Sequence, residues 1–156
     1  IRDRSPSRGL GDVYKRQRYL SMREHSRLEL EEKLTKKHYE RDLIIECINE
    51  FSDKDLQSDF RYAESYARAK FNDHKGENFI RSSLKNKGIS ISLIDKVMLE
   101  YDYNDWLNKA MSALEKKVFK NNIDESDKKK KQNTFLNNRG FTYKVIDKAI
   151  CEYWKS

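Results

Sequence analysis

The chain has 156 residues, of which 37% are hydrophobic and 38% are charged, and its formal net charge is +7. The aromatic content of 12% and the periodic apolar positions exclude a fully disordered polyampholyte, and no apolar run approaches the roughly 18 residues of a membrane span. The two cysteines, Cys47 and Cys151, fit neither a disulfide framework nor a zinc-ligand spacing. We therefore expect a soluble cytoplasmic protein with a lean core and an acidic partner, such as nucleic acid or a protein assembly built on it.

Residues 1–17, IRDRSPSRGLGDVYKRQ, differ in character from the rest of the chain. Ser7 to Gln17 resembles an in-frame translation of a transposase sequencing adapter, and Ile1 to Asp3 matches an upstream part of the same adapter. We expect this segment to be a non-native tail and the true N-terminus to be missing, so the tail is excluded from the fold prediction. The remaining residues include 28 basic and 24 acidic side chains, which lowers the net charge to +4.

Residues 18–55 predict a first repeat of three helices. The first of these helices, which ends near Met22, is truncated. Ser26 and Glu29 form an S-x-x-E capping box that starts the second helix. The apolar residues of the second and third helices recur at helical spacing, and they are Leu30, Leu34, Leu43, Ile44, Cys47, Ile48 and Phe51.

Residues 56–103 predict a second repeat of the same kind. Asp59 fits the N-cap of its first helix, and the second helix is predicted over Glu77 to Lys87. The apolar stripes of the three helices are Phe60, Ala63, Tyr66, Ala67, Phe71, Phe79, Ile80, Leu84, Ile94, Val97, Met98 and Tyr101.

Residues 104–156 predict a third repeat, whose first helix begins near Asp105 and Trp106. The segment from Asn121 to Lys131 is the most polar part of this repeat and predicts a loop that enters a helix. Its lysine run, Lys128 to Lys131, has no assigned role beyond keeping such a loop solvated. The apolar stripes of the first and last helices are Leu107, Ala110, Met111, Leu114, Val118, Ile146, Ile150 and Trp154.

The same spacing of apolar residues recurs in all three repeats. A shift of 52 residues places the stretch 84–101 on 136–153, and a shift of 50 places it on 34–51. Six of seven aligned columns are apolar or aromatic in every copy, and the seventh contains Gly88, Gly140 and His38. Glycine in this column fits the left-handed residue that ends a helix. Self-similarity at this period predicts an all-α solenoid of nine helices less the missing start.

Serine and threonine follow the two glycines at matching distances. Ser90 or Ser92 caps the helix after Gly88, and Thr142 occupies the corresponding place after Gly140. Two of the three glycines that lie outside the N-terminal tail therefore mark the same position in successive repeats.

No catalytic or cofactor site is predicted. His25, His38 and His74 lie at no ligand spacing, and the sequence contains no glycine-rich phosphate loop. Most carboxylates alternate with lysine and arginine three or four residues away, which is typical of a solvated helix face. We therefore expect no enzymatic activity, no cofactor and no metal.

Direct reading of DNA by the third helix of each repeat is disfavoured, although each repeat resembles a helix-turn-helix unit. Glu50, Glu100 and Glu152 occupy one equivalent exposed column, and Asp95 and Asp147 occupy another. Carboxylates facing DNA phosphates would be repelled. The basic residues concentrate instead on the first and second helices of the repeats.

Four motifs in this order resemble those of the bacterial regulatory protein RecX family, which modulates the recombinase RecA. The motifs are REHSRLELEEKL, DLQSDFRYAESYARAKF, IRSSLKNKGIS and FLNNRGFTYKVI, and the resemblance covers Arg18 to Trp154. It implies three tandem three-helix repeats in an elongated, curved solenoid whose first repeat is truncated here. It also implies a monomer without catalytic residues that lies in the groove of a RecA filament on single-stranded DNA. Such a protein inhibits filament extension, ATP hydrolysis and strand exchange in recombination, DNA repair and the SOS response.

Six basic residues are predicted to contact the partner, with single-stranded DNA as a further candidate ligand. Periodic contacts to a periodic filament would add through effective concentration. The alternatives are that these six are ordinary solvated charges, or that the chain is a sequence-nonspecific binder of naked DNA. The six residues are Arg61, Arg68, Arg81, Lys85, Lys87 and Arg139.

Overall fold

The computed structural model describes residues 23–155, and the predicted adapter tail and the end of the truncated helix lie outside them. Residues 23–155 form eight α-helices and no β-strand, which confirms the all-α prediction. The helices are α1 (Arg27–Lys36), α2 (Arg41–Asp53), α3 (Asp59–Asn72), α4 (Glu77–Asn86), α5 (Ile91–Met98), α6 (Tyr103–Lys116), α7 (Glu125–Asn138) and α8 (Tyr143–Lys155).

The chain divides into two units. Unit 1 comprises residues up to Ser65 together with Lys87–Ile89, and unit 2 comprises Tyr66–Asn86 and the residues from Ser90 onward. The predicted repeat boundaries, 18–55, 56–103 and 104–156, stay a prediction.

Unit 1 is built on the packing of α1 against α2. The apolar faces predicted for these helices are buried, and the half-buried Tyr39 packs against them. Ser26 caps α1, because its hydroxyl oxygen accepts a hydrogen bond from the backbone N–H of Glu29 at 3.1 Å. The carboxylate of Glu29 pairs with Arg23 at 2.9 Å, so only the serine half of the predicted capping box forms. The core residues of this pair of helices are Leu30, Leu34, Ile44 and Ile48.

The prediction that Asp59 caps α3 was wrong. Asp59 is the first residue of the helix, and the hydroxyl of Ser58 accepts from the backbone N–H of Arg61 at 3.2 Å. The carboxylate of Asp59 instead accepts from the backbone N–H of Arg27 at 2.8 Å and from the side-chain amide of Gln57 at 2.9 Å. A negative charge at the start of α1 is favourable because the helix dipole is positive there. Asp59 thus stabilises a helix 32 residues upstream.

His25 is buried in unit 1, and both of its ring nitrogens have polar contacts. Its Nδ1 lies 3.0 Å from the carbonyl oxygen of Arg23, and its Nε2 lies 2.8 Å from the ammonium of Lys33. Because an ammonium group can only donate, Nε2 accepts and the ring proton resides on Nδ1. Burial lowers the pKa of His25; the positive charges of Arg23 and Lys33 act in the same direction, and the hydrogen bond to Arg23 opposes them.

Unit 2 contains two helix packings, α4 against α5 and the group of α6, α7 and α8. Phe71, Tyr101 and Trp106 form an aromatic cluster with ring centroids 4.7 to 5.3 Å apart. In the α6–α8 group, Trp154 donates its indole N–H to the buried side chain of Gln132 at 2.9 Å. The predicted apolar faces of α4, α5 and α8 all contribute to these cores.

Three boundaries in unit 2 differ from the prediction. Val118 lies beyond the end of α6 and is 89% exposed, so it is not part of the apolar stripe. Lys128 to Lys131 lie inside α7 rather than in a loop. Helix α5 ends at Met98, so Tyr101 follows the helix rather than completing its apolar face.

Ser90, not Ser92, caps α5, since its hydroxyl accepts a hydrogen bond from the backbone N–H of Leu93.

The column of His38, Gly88 and Gly140 is left-handed in all three copies. The φ angles are 62°, 80° and 92°, respectively, and each residue lies two positions after the last residue of the preceding helix. Glycine has no Cβ and adopts this conformation without strain, whereas His38 adopts it at a cost. The prediction of a common helix stop is therefore confirmed for both glycines, and it extends to the histidine.

Gly76 and Gly140 bring two chain segments of unit 2 into close backbone contact. The N–H of Gly76 donates to the carbonyl of Arg139, and the N–H of Asn78 donates to the carbonyl of Gly140, both at 2.8 Å. A Cβ at Gly76 would lie 2.3 Å from the carbonyl carbon of Gly140, and a Cβ at Gly140 would lie 2.4 Å from the Cβ of Phe79 and 2.6 Å from its backbone nitrogen. No side chain can occupy either position without displacing backbone.

We expect Gly140→Ala to lower the free energy of unfolding by at least about 2 kcal/mol, because left-handed strain and a clash with Phe79 add. Urea denaturation followed by circular dichroism measures the change. His38→Gly in the same column is the matched control, and it should raise the free energy by between zero and about 1 kcal/mol, since the relief of strain is offset by chain entropy. Losses of similar size in both variants would contradict a common left-handed stop.

We expect the buried His25 to make the folded state sensitive to acid. Because its pKa is lowered in the folded state, stability is fully present above the unfolded value of 6.5 and is lost as the pH falls through the folded pKa. The measurement is the free energy of unfolding at pH 7.5 and pH 5.0 for the wild type and for His25→Gln. The variant should be less stable at pH 7.5 but should lose less between the two pH values. An equal loss in both proteins would contradict this role of His25.

Candidate partner-binding surfaces

The six predicted contact residues divide between the two units. Arg61 and Lys87 belong to unit 1, and the other four belong to unit 2. The structure further separates the six by what their charged groups do: three are held by partners within the chain and three are exposed on helix or helix-end positions. The held residues are Arg61, Arg81 and Arg139, and the exposed residues are Arg68, Lys85 and Lys87.

Arg61 ties together three segments of unit 1. Its guanidinium forms ion pairs with Glu24 at 3.1 Å and with Asp55 at 2.9 Å, and it also donates to the carbonyl of Asp55 at 2.7 Å. Asp55 has a left-handed φ of 57° at the turn before α3. Arg61 therefore stabilises this turn, and its charge is only partly available to a partner.

Arg81 connects α4 to α5 in unit 2. It pairs with Glu77 one turn earlier on α4 at 3.0 Å and with Asp95 on α5 at 2.7 Å. Asp95 is one of the carboxylates that argue against DNA reading, and here its charge is compensated by Arg81.

Arg139 holds the turn between α3 and α4. Its guanidinium donates to the carbonyl of His74 at 3.1 Å and to the carbonyl of Asp73. Since the backbone carbonyl of Arg139 accepts from Gly76, the residue engages this turn through both its main chain and its side chain. A guanidinium has several donors in a fixed plane and can reach two carbonyls at once, which a lysine ammonium does less well.

Arg68, Lys85 and Lys87 are exposed and form no ion pair with any residue that the structure describes. Arg68 lies on α3 and Lys85 in the last turn of α4, where a positive charge suits the negative end of the helix dipole. These three are the predicted contact residues whose charges are most available to a partner.

A basic cluster in unit 2 was missed by the sequence analysis apart from Arg139. We call basic cluster the group Lys70, His74, Lys75, Lys109, Lys116 and Arg139. Its members come from α3, from the turn after it, from α6 and from the end of α7. Only Lys70, His74 and Lys75 are close together in sequence, so neither a charge run nor a helical stripe could have revealed the group.

The pKa values of two members are lowered by burial and by the positive charges that lie near them. Burial lowers the pKa of His74, and the positive charges of Lys116, Lys109 and Arg139 lower it further. Burial likewise lowers the pKa of Lys75, followed by repulsion from Arg139 and Lys70. His74 is oriented by a contact of 3.1 Å between its Nε2 and the hydroxyl of Ser112. An anionic partner would relieve this repulsion.

Aromatic rings support three lysines of the basic cluster. The ammonium of Lys75 lies 4.8 Å from the ring centroid of Phe79, that of Lys109 lies 4.7 Å from Phe71, and that of Lys70 lies 5.5 Å from Tyr66. Cation–π contacts of this kind restrict a lysine without neutralising it. The cluster is thus a partly ordered positive surface.

The acidic residues on the third helices of the repeats are partly compensated within the chain. Glu50 pairs with Lys54 and Glu152 pairs with Lys148, each at 2.8 Å, while Glu100 and Asp147 are exposed. The hydrogen bond and charge of Glu152 raise the pKa of Lys148, and those of Lys148 lower the pKa of Glu152. The exposed faces of α2, α5 and α8 therefore carry mixed charge.

Residues 23–155 contain no group of three or more histidine, cysteine, aspartate or glutamate side chains placed to hold a metal ion. Cys47 is buried, as its apolar column predicts, Cys151 is exposed, and both are free thiols. No helix in the described part of the chain is long and apolar enough to cross a membrane.

Comparison with known proteins identifies the family. Residues 17–51 match the first three-helix domain of RecX, and residues 58–98 match its second three-helix domain. A Regulatory protein RecX from Legionella pneumophila (strain Corby) is 39% identical over 135 residues, which cover 86% of this chain and 89% of that protein. The corresponding protein of Vibrio campbellii is 40% identical over 133 residues, which cover 84% of each chain.

The fold agrees with the same family. The crystal structure of RecX from Lactobacillus salivarius matches with a TM-score of 0.84 at 31% identity and covers 96% of this chain and 97% of that one. The two domain matches together span just under half of the chain, and the relatives named above extend the similarity to most of it. The chain therefore belongs to the regulatory protein RecX family.

Proposed function

We propose that this protein binds the recombinase RecA and RecA filaments on single-stranded DNA in the cytoplasm. Binding modulates RecA, mainly by inhibiting filament extension, ATP hydrolysis and strand exchange in recombination and DNA repair. Membership in a family of regulatory proteins across most of the chain is the observation that carries this proposal. The protein acts by binding RecA and catalyses no reaction of its own.

The distribution of positive charge supports a binding role. Arg68, Lys85 and Lys87 are exposed and have no carboxylate partner among the described residues, and the basic cluster adds further positive charge in unit 2. Several modest contacts made by one chain to a periodic partner reinforce each other, because each bound contact raises the effective concentration of the next. The mixed charge on α2, α5 and α8 suits a protein surface better than a row of DNA phosphates.

Charge reversal at the three exposed residues tests whether each unit contributes contacts to the partner. We expect the variant Arg68→Glu, Lys85→Glu, Lys87→Glu to need at least about tenfold more protein to inhibit the DNA-dependent ATP hydrolysis of RecA, since several contact charges become repulsive. The folded state should be retained because none of the three forms an ion pair with a described residue. Arg81 is left unchanged because its ion pairs connect α4 to α5.

The matched control carries the same change of net charge at Lys36, Arg41 and Lys144, all of which are exposed. Its inhibition should stay close to that of the wild type. Equal loss in both variants would mean that net charge alone matters and that Arg68, Lys85 and Lys87 are not specific contacts. Failure of the wild type to co-sediment with RecA filaments in preference to naked single-stranded DNA would contradict the proposed function itself.

A further inference from the structure

The lysine run of α7 does not form one uniformly solvated face. Lys128 lies with its ammonium 5.3 Å from the ring of Trp154, and Lys129 pairs with Glu125 at 2.8 Å while lying 5.2 Å from the same ring. Lys130 and Lys131 instead line a cavity between α7 and the segment that follows α6. The run therefore has an inner pair, which packs on α8, and an outer pair, which faces the cavity.

The cavity is about 460 Å³ in volume and lies entirely within unit 2. Four lysines line it, and no aspartate or glutamate does. We call this cavity the lysine pocket, and its charged and aromatic lining consists of Lys117, Lys120, Lys130, Lys131, Phe119 and Phe135.

Two aromatic rings lie among these lysines. Phe119 and Phe135 are half-buried and meet edge to face with their centroids 6.2 Å apart, and the ammonium of Lys117 lies 5.5 Å from the Phe135 ring. Val118, beside Phe119, is 89% exposed although it is apolar. The lining of the lysine pocket thus combines positive charge with apolar and aromatic surface.

Positive charge next to accessible aromatic faces is the chemistry that binds single-stranded nucleic acid. Lysines attract the phosphates, and bases stack on aromatic rings with little sequence preference. The volume of the lysine pocket lies in the range of small-ligand sites and exceeds what a bare phosphate needs. An acidic peptide would satisfy the four lysines but would leave the two rings without a complementary group.

We propose that the lysine pocket binds one or two nucleotides of a single-stranded nucleic acid, with the phosphates on Lys117, Lys120, Lys130 and Lys131 and a base against Phe119. This contact is independent of RecA. It forms with naked single-stranded nucleic acid, and its residues differ from those proposed to contact the RecA filament.

The test is fluorescence anisotropy with a labelled 15-nucleotide oligothymidine, without RecA, at 50 and 200 mM NaCl. The variant Lys130→Glu, Lys131→Glu should bind at least about tenfold more weakly at the lower salt. Its binding should also depend less steeply on salt, because fewer phosphate counterions are released. The control Lys36→Glu, Lys144→Glu changes the net charge equally at exposed positions and should bind the oligonucleotide like the wild type. Equal weakening in both variants would overturn the assignment of the site.

A second variant separates base stacking from charge. Phe119→Leu keeps an apolar side chain and should weaken binding about fivefold or more, since stacking of a base on an aromatic ring contributes on the order of 1 kcal/mol or above. Thermal unfolding of the variant, followed by circular dichroism, verifies that the fold is retained. Unchanged binding by a folded Phe119→Leu would overturn the proposed stacking and leave only a phosphate contact.

Competition distinguishes the strand from other anions. Unlabelled oligothymidine should displace the probe at far lower concentration than a glutamate-rich peptide, thymidine monophosphate or inorganic phosphate. Displacement by the peptide at similar concentration would overturn the proposal in favour of an acidic protein partner. Displacement by the mononucleotide at an equal concentration of nucleotide units would overturn it in favour of a free nucleotide. Because RecA is absent from this assay, failure to bind the oligonucleotide leaves the filament-binding proposal standing. Failure to bind the RecA filament would likewise leave the proposed nucleic-acid contact of the lysine pocket standing.

Discussion

The backbone contact between Gly76 and Gly140 is the constraint on which the organisation of unit 2 depends. It joins the turn between α3 and α4 to the end of α7 through two hydrogen bonds of 2.8 Å. Residue 76 lies in the predicted second repeat and residue 140 in the predicted third, which explains why one unit includes parts of both. The same contact places Arg139 over the carbonyls of the turn and brings its charge close to His74 and Lys75. The close approach of the two glycines thus brings Arg139 to His74 and Lys75 within the basic cluster.

The positive charges of this chain have two kinds of role. Arg61, Arg81 and Arg139 satisfy carboxylates and backbone carbonyls within their own unit, so removing them disturbs a turn or a helix pair. The exposed lysines and Arg68 contribute little to the fold, as is usual for solvated side chains. A high content of lysine and arginine is therefore a poor guide to a binding surface until the internal partners are known.

Helix positions and core columns could be predicted because they repeat with a local period. Even His38 was aligned with Gly88 and Gly140 from spacing alone, and its left-handed φ of 62° agrees. The role of Asp59 could not be predicted, because its carboxylate serves a helix 32 residues away. The basic cluster and the lysine pocket also depend on contacts between distant segments. The polar composition of the lysine run predicted a loop, but lysine has a high helix propensity and the run lies inside α7.

The hydrogen bond from Trp154 to Gln132 and the burial of Trp106 have a practical consequence for spectroscopy. Both tryptophans of the chain lie in unit 2, and both are at least partly shielded from water. Their fluorescence therefore reports the opening of unit 2 and is blind to unit 1, which contains only tyrosine among its strongly absorbing residues. Unfolding curves from tryptophan emission and from circular dichroism should coincide only if the two units unfold together.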